Sequence, residues 1–303
     1  MSRIILPKPP SRHSAKLGAE LSDDYGELNA RADHAIRAIT QRFPRAGRIY
    51  ELLLHDKRVD AHWNLSNYLT VGKLNYNDHG PIHARVTGSY AMQLMDLLVE
   101  AGTPMDVVNS GAGDVDDAFL VTLTAAMLHD IGNALHRSGH EGMSVILAQP
   151  ILRELLAQIY EDEEQRALMI DFTLSAIQCH DMMPAPLYME GGVVAVADGC
   201  DMTKGRARMP FDLGKLDIHA VSALAIEEVN INRSTSGMPV EIEVRMSNSA
   251  GIFQVEETLV KKINATPLRH HVMVHVRSIN ATDPYEKRII SNAVLENGKL
   301  RPV

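Results

Sequence analysis

The chain has 303 residues, of which 45% are hydrophobic and 22% charged, a composition that excludes a disordered chain and allows a sizeable folded core. Its 38 acidic residues outnumber the 30 basic ones and give a net charge of −8, which argues against a nucleic-acid polymer as partner, because phosphate binding needs a basic surplus. Two cysteines cannot build a disulfide framework, and no apolar run is long enough to span a bilayer. We therefore expect a cytoplasmic protein with no membrane partner.

Residues 15 to 212 have the pattern of α-helices. Apolar residues recur at every third or fourth position, and proline and glycine stand where helices begin and end. Several helices are predicted within 15–74, and single helices are predicted at 81–101, 115–130, 141–159, 163–180 and 192–202. The helix that ends at Asp130 is apolar on nearly every side, so we expect it in the centre of the protein, with Gly132 as its C-cap.

The pattern changes after residue 212. Valine and isoleucine become frequent and partly alternate with polar residues, which predicts strands at 223–232, 240–246 and 270–278, with an amphipathic helix at 252–263. The predicted fold is mainly α, an all-helical body with a small C-terminal α+β unit in strand–strand–helix–strand order. The expected domains are an N-terminal helical extension (1–75), a core (76–212) and the α+β unit (213–303).

Histidine is abundant, with 14 copies, and several histidines and aspartates lie on apolar helix faces. His83 shares a face with apolar residues at spacings of three and four, and His129 and Asp130 end the most apolar helix. The further members of this set are His140, His180 and Asp198. A buried carboxylate without a partner is costly, and a divalent cation satisfies both carboxylates and imidazole nitrogens. A single buried histidine is more often a core residue, but this joint occurrence favours convergence on metal.

The order of these residues resembles the H…HD…D pattern of the HD superfamily of metal-dependent phosphohydrolases. His83 is similar to the first histidine, the His-Asp-Ile-Gly sequence at 129–132 to the family's HDIG variant, and Asp198 to the final aspartate. His140 and His180 are similar to the additional histidines of binuclear members. The resemblance covers about residues 76–208 and implies an all-helical HD core.

The resemblance also implies a pair of divalent metal ions (Mn, Fe, Co, Mg or Zn), bridged by Asp130. The implied ligands are His83, His129, Asp130 and Asp198 for the first ion and Asp130, His140 and His180 for the second. In such a site a hydroxide between the ions attacks phosphorus. The expected substrate is a small phosphate ester, with a nucleotide as the leading candidate.

Cationic side chains suit phosphate oxygens, and Arg137, Lys204 and Arg206 lie near these ligands in the sequence. The predicted catalytic residues are Asp130, Lys204 and Arg206, with plain surface charge as the alternative for the last two. His79 and His136 each precede a predicted ligand by four residues, and we expect them to contact ligands or substrate rather than to bind metal.

Three alternatives remain open at the level of sequence. The binuclear HD-GYP cyclic-di-GMP phosphodiesterases have a lysine where this chain has Asn133, and a Gly-Tyr-Pro stretch that residues 181–186 lack, so cyclic-dinucleotide hydrolysis is a secondary expectation. Some HD-superfamily members use a similar four-histidine, two-aspartate set to hold two irons and oxidise a substrate with dioxygen. The third alternative is a ligand sensor that signals through the C-terminal unit, and association into a homo-oligomer also stays open.

Overall fold

The structure is a computed structural model of the chain, and it describes residues 23–204, 206, 218–235, 237–279 and 292–303. The first of these segments forms a helical body. Its helices are α1 (Asp23–Thr40), α2 (Pro44–His55), α3 (Lys57–Leu74), α4 (Pro81–Glu100), α5 (Asp106–Asn109), α6 (Val115–Leu128), α7 (His140–Leu156), α8 (Glu163–Cys179) and α9 (Met189–Cys200). The predicted fold class is confirmed, since a mainly α body is followed by a small α+β unit.

Helix α6 lies at the centre of the body, as its apolar sequence predicts. It contacts α2, α4, α8 and α9, and Phe119 and Leu123 have no exposed surface. The helix begins with a capping box, in which the Asp114 carboxylate accepts the backbone N–H of Asp117 and the Asp117 carboxylate accepts that of Asp114. Burial on all sides fixes the direction in which the helix delivers the His-Asp pair at its end.

The prediction that Gly132 is the C-cap of this helix is wrong. Helix α6 ends at Leu128, and Gly132 lies in a following 3₁₀ turn (Ile131–Ala134), without the positive φ of a capping glycine. The turn passes so close to the start of α7 that a β-carbon on Gly132 would lie 2.1 Å from the carbonyl oxygen of His140. The glycine is therefore explained by close packing.

The C-terminal unit is built around a mixed sheet in the order β1-β2-β3-β4-β5, and a short helix, α10 (Ile218–Ala223), precedes it. The strands are β1 (Ile226–Arg233), β2 (Val240–Met246), β3 (Val272–Ser278), β4 (Asn292–Glu296) and β5 (Lys299–Pro302). Among the five strands that the structure describes, β2 and β3 pair in parallel and the other neighbours are antiparallel. The predicted strand–strand–helix–strand order is confirmed, and two further strands, β4 and β5, were not predicted.

The parallel pair is connected by a helix that we call the crossover helix, residues 251–265. It consists of α11 (Gly251–Gln254), a π-helical turn (Val255–Val260) and α12 (Lys261–Ala265). The crossover helix packs on α9, and a β-carbon on Gly199 would lie 3.5 Å from the Leu259 Cα and 3.2 Å from the Lys262 side chain. The C-terminal unit therefore shares one apolar core with the helical body.

The predicted boundary between residues 212 and 213 lies outside the described residues, as do residues 1–22 of the predicted N-terminal extension. None of the helices in the described part of the chain combines the length and the apolarity needed to cross a bilayer.

Candidate metal centre

Six residues that the sequence places on five helices meet in the interior of the helical body. His83 lies in the first turn of α4, His129 and Asp130 directly follow α6, and His140 begins α7. His180 follows the last residue of α8, and Asp198 lies near the end of α9. These are the predicted metal ligands His83, His129, Asp130, His140, His180 and Asp198, and the structure brings all of them together.

Two histidines lie beside one oxygen of Asp130, and a second aspartate lies beside the same two histidines. The Nε2 atoms of His83 and His129 lie 3.2 and 3.4 Å from Asp130 Oδ2, and 3.1 Å from each other. Asp198 Oδ1 lies 3.2 Å from His83 Nε2 and 3.7 Å from His129 Nε2. The ligand atoms of His83, His129 and Asp198 therefore share one centre, and Asp130 Oδ2 lies beside the two histidine nitrogens.

The other oxygen of Asp130 faces the remaining two histidines. His140 Nε2 lies 3.0 Å and His180 Nε2 3.8 Å from Asp130 Oδ1, and the two nitrogens are 3.2 Å apart. The Asp130 carboxylate thus lies between two pairs of imidazoles. Its orientation is held by Asn133, whose amide nitrogen donates to Asp130 Oδ1 over 2.9 Å and to the Asp130 carbonyl oxygen over 3.0 Å.

The Nδ1 atoms of these histidines have partners outside the cluster, and this turns the Nε2 atoms inward. His83 Nδ1 lies 2.7 Å from Asp201 Oδ2, while His129 and His180 donate Nδ1–H to the carbonyl oxygens of Ala126 and Ile177. A carbonyl or carboxylate on one ring nitrogen fixes the tautomer that leaves the other nitrogen available as a ligand. The rings are therefore oriented as metal-binding histidines require.

The electrostatics of the cluster favour bound positive charge. Burial alone would raise the pKa of Asp130, but the surrounding imidazoles, His129 first, hold it well below its usual range. Burial also opposes ionisation of Asp198, but Lys262 and the imidazoles lower its pKa in the same way. Burial and the nearby Arg206 would lower the pKa of His83, yet three neighbouring carboxylates raise it to about 10. Both carboxylates, Asp130 buried and Asp198 partly buried, are thus ionised, and they attract a proton or a metal cation to the imidazoles between them.

The distances between ligand atoms match the dimensions of a divalent metal site. With metal–nitrogen bonds of about 2.1 Å, adjacent ligands are separated by about 3.0 Å in an octahedron and about 3.4 Å in a tetrahedron. The separations between the imidazole nitrogens and carboxylate oxygens here are 3.0–3.8 Å. Histidine nitrogen and carboxylate oxygen are also ligands that first-row divalent metals accept. The buried histidine and aspartate side chains can therefore hold a metal ion.

Of the two flanking histidines, the structure brings only His79 to the cluster. It is buried, and its Nδ1 lies 2.6 Å from Asp130 Oδ2. Burial lowers the pKa of His79 to about 3, so its ring is neutral. His136 is exposed on the surface, where its Nδ1 accepts the backbone N–H of Ser138. The two histidines share the four-residue spacing to a candidate ligand, but they differ in their position relative to the start of the following helix.

Of the three predicted cationic residues, the structure brings two to the cluster. Arg206 is buried beside the cluster, where its guanidinium donates to the carbonyl oxygens of Asp78 and Asp201 over 3.0 and 2.8 Å. Arg137 Nη1 donates to His140 Nε2 over 3.2 Å. The structure does not bring Lys204 to the cluster, because its ammonium forms an ion pair with Glu227 on β1.

A different lysine, which the sequence reading missed, takes the place near the cluster. Lys262 on the crossover helix is 6% exposed, and its ammonium pairs with Asp198 Oδ2 and donates to the carbonyl oxygen of His180 over 3.1 Å. A signal was present in the sequence, since Val255, Leu259 and Lys262 have the spacing of one apolar helix face. A lysine in such a position requires a buried partner.

The cluster opens into a cavity of about 290 Å³, at the lower end of the about 300–1,000 Å³ typical of small-molecule sites. One part of its wall comes from the helical body and includes His79, Arg137 and Arg206. The other part comes from the C-terminal unit, namely α10 and the crossover helix. Of the six candidate metal ligands Asp198 lines the cavity, which therefore places cationic side chains beside one edge of the cluster.

Comparisons with known proteins give one informative relative. Over 254 residues the chain is 40% identical to the Uncharacterized protein MJ1020 of Methanocaldococcus jannaschii, a match that covers 84% of this chain and 93% of that protein. No family model matches the chain, and no solved structure matches it. Identity at this level over nearly the whole length of both proteins shows common descent, and the chain belongs to the same protein family as this archaeal protein.

Proposed function

We propose that the protein is a metal-dependent phosphohydrolase of the HD type, which binds two divalent ions and hydrolyses a small phosphate ester, with a nucleotide as the leading candidate. The observation that carries the proposal is the arrangement around Asp130, since four imidazole Nε2 atoms converge in two pairs on the two oxygens of one buried carboxylate. This is the arrangement that the sequence resemblance implies for a bridging aspartate.

The division of ligands between the two oxygens supports two ions rather than one. His83 and His129 lie beside Oδ2 and also contact Asp198, whereas His140 and His180 lie beside Oδ1. The first group offers four ligand atoms when Asp130 is included, and the second offers three. Both groups leave coordination positions for water and substrate.

Bound divalent metals would lower the pKa of a water molecule and stabilise negative charge on phosphoryl oxygens. The chain's own groups would bind and orient the substrate. Arg206 and Arg137 present guanidinium groups to the cavity, and guanidinium groups bind phosphate oxygens with directional hydrogen bonds. Asn133 holds the bridging carboxylate in place. Lys204, which pairs with Glu227, has no part in this proposal.

The proposal is tested on protein purified without chelator. Metal content measured by mass spectrometry should give close to two ions per chain, and the protein supplied with Mn²⁺ or Co²⁺ should release phosphate from a panel of nucleotides and phosphomonoesters. Asp130→Asn should lose this activity and bind less metal, because it removes the charge between the two imidazole pairs. His136→Ala, a histidine on the surface, is the matched control and should behave as wild type.

Two results would contradict the proposal. The first is a metal-loaded protein that releases no phosphate from any member of the panel. The second is a protein that contains iron and consumes dioxygen with its substrate, which would assign it to the di-iron oxygenases that use a similar set of ligands.

A further inference from the structure

The crossover helix presents a line of polar side chains to the cavity. Gln254, Thr258 and Lys262 follow one another at intervals of four residues, and all three line the cavity. Side chains at this spacing share one helix face. Gln254 and Lys262 are 8% and 6% exposed, so the line faces the interior of the protein.

The adjacent face of the same helix lies in the core. Val255, Leu259 and Ile263 have no exposed surface and belong to the core shared by sheet and helical body. A helix buried in this way is usually apolar on every side, because a buried polar group is costly unless it finds a partner. Each member of the line has a partner within the protein, since Gln254 Oε1 accepts from Ser222 Oγ over 3.4 Å, Thr258 donates to the Gln254 carbonyl oxygen and Lys262 pairs with Asp198. All three also line the cavity, where their polar side chains offer further hydrogen bonds to a polar ligand.

Local backbone structure points to the same face. The middle of the crossover helix is a π-helical turn (Val255–Val260), which includes Thr258. π-Helical turns are rare, and they occur frequently at functional sites. Here the turn widens the helix where it borders the cavity, and the hydroxyl of Thr258 donates to the carbonyl oxygen of Gln254 over 2.6 Å.

The line also has a direction. Lys262 lies at the end next to the candidate metal ligands, since its ammonium pairs with Asp198. Gln254 lies eight residues away, which corresponds to about 12 Å along a helix. A ligand whose phosphoryl group reaches the candidate metal ligands would therefore extend its remaining part along Thr258 towards Gln254.

We propose that the crossover helix is the substrate-recognition wall of this enzyme. Lys262 contributes to binding of the phosphoryl group, and Thr258 and Gln254 form hydrogen bonds with the organic part of the ester, which must itself be polar. The inference rests on the proposed phosphohydrolase function and adds to it the residues that determine specificity. It also gives the C-terminal unit a role within the enzyme's own site.

The test compares two kinds of probe on the full-length protein loaded with Mn²⁺. Inorganic phosphate and ethyl phosphate offer only the phosphoryl group or little more, whereas glucose 6-phosphate and the four ribonucleoside 5′-monophosphates carry polar organic parts. Binding is measured by calorimetry, kcat and KM by phosphate release, and metal content by mass spectrometry. Equal metal content among the variants shows that any effect arises outside the metal ligands.

Thr258→Val and Gln254→Met should raise the KM of the best polar substrate by about 3- to 10-fold each, the value of a lost hydrogen bond. The same variants should leave the Kd of phosphate and the KM of ethyl phosphate within about twofold of wild type. Thr258→Ser retains the hydroxyl and should show the wild-type KM. The comparison of Thr258→Val with Thr258→Ser tests the proposal even if Gln254→Met does not fold.

Two adjacent lysines give a matched pair of charge variants. Lys262→Met should weaken binding of every probe, including inorganic phosphate, because it removes the ammonium beside Asp198. Lys261→Met removes an equal charge from an exposed position, where the side chain is 56% exposed, and should change none of the constants.

The possible failures are distinguishable. If wild type cleaves phosphate esters but Thr258→Val and Gln254→Met leave the ratio of KM values between polar substrates and ethyl phosphate unchanged, the recognition wall is refuted and the phosphohydrolase proposal stands. If wild type with Mn²⁺ neither binds nor cleaves any probe, the phosphohydrolase proposal fails, and the recognition wall fails with it.

Discussion

Gly132 of the His-Asp-Ile-Gly sequence is a position at which one added methyl group should damage the candidate metal centre. A β-carbon there would lie 2.1 Å from the His140 carbonyl oxygen and 2.4 Å from the Ser144 backbone nitrogen. The Gly132 N–H also donates to Ser144 Oγ over 2.8 Å, which holds the 3₁₀ turn against α7. Both contacts of the added methyl are with backbone, so no rotamer change relieves them.

The cost of Gly132→Ala follows from these distances. Real β-carbons essentially never approach other heavy atoms within 3.0 Å, so the turn and α7 must separate by about 1 Å. Overpacking of this kind lowers the free energy of unfolding by about 1–3 kcal/mol or more. We expect the upper end of this range. His140 is the first residue of α7, so its ring must move with the helix, and metal affinity should fall by about 10-fold or more, the effect typical of a misoriented ligand.

Urea unfolding and metal titration of the purified variant measure the two effects separately. Gly142→Ala is the matched control on the same helix, because a β-carbon at Gly142 would meet only Gln178 Oε1, at 3.7 Å. It replaces a glycine within a helix and should stabilise the protein by about 0.5–1 kcal/mol. A Gly132→Ala variant with wild-type stability and full metal affinity would refute this account of the glycine.

Three further predictions concern charge and metal. Burial raises the pKa of Glu190, so its carboxylate destabilises the fold as pH rises above about 4.5. Glu190→Gln should therefore raise Tm at pH 8 by about 2–4 °C, with no gain at pH 4, as measured by scanning fluorimetry. An equal gain at both pH values would contradict this. Asp201→Asn removes the carboxylate from His83 Nδ1 and should weaken metal binding by about 10- to 100-fold in titrations, with the circular dichroism spectrum unchanged. Removal of metal by a chelator should lower Tm, and re-addition of Mn²⁺ should restore it, since an ion at 100 times its Kd stabilises the fold by about 2.7 kcal/mol. A Tm that neither treatment changes would exclude a metal that stabilises the fold.

The helical body was predictable because its signals are local. Helix α6 is apolar on nearly every side, and this pattern predicted both its central position and the burial of the residues at its end. The spacing of His83 along α4 predicted its inward direction in the same way. The convergence of helix ends on one point has no local signal, and it was expected from the order of histidines and aspartates along the chain.

The C-terminal sheet was predictable only in part. Strands β2 and β3 alternate regularly between buried and partly exposed residues, and the sequence shows this alternation. Strands β4 and β5 have five and four residues, and β5 is mostly exposed at the edge of the sheet. Their formation depends on the neighbouring strand, β3 for β4 and β4 for β5, more than on their own composition.

Two lysines, one predicted near the site and one missed, show that distance along the sequence does not predict distance in the fold here. Lys204 follows Asp198 by six residues, yet it pairs with Glu227 on β1. Lys262 is 64 residues from Asp198 in the chain, and it reaches the carboxylate because the crossover helix packs on α9. Proximity in sequence was the wrong guide for these two lysines, because the packing of the crossover helix on α9, rather than distance along the chain, places an ammonium beside Asp198.

The packing of the C-terminal unit on the helical body also determines how charge is balanced in the cluster. Of the two ionised carboxylates, Asp130 is buried and Asp198 is partly buried, and a charge removed from water is tolerated only with a close partner. The helical body supplies histidines and Arg206, but the ammonium that pairs with Asp198 belongs to Lys262 of the C-terminal unit. Gly199 on α9 permits the close approach that this pairing requires, since a β-carbon there would lie 3.2 Å from the Lys262 side chain. The helical body therefore contains all the candidate metal ligands, whereas the electrostatic balance of the centre and one wall of its cavity depend on the C-terminal unit.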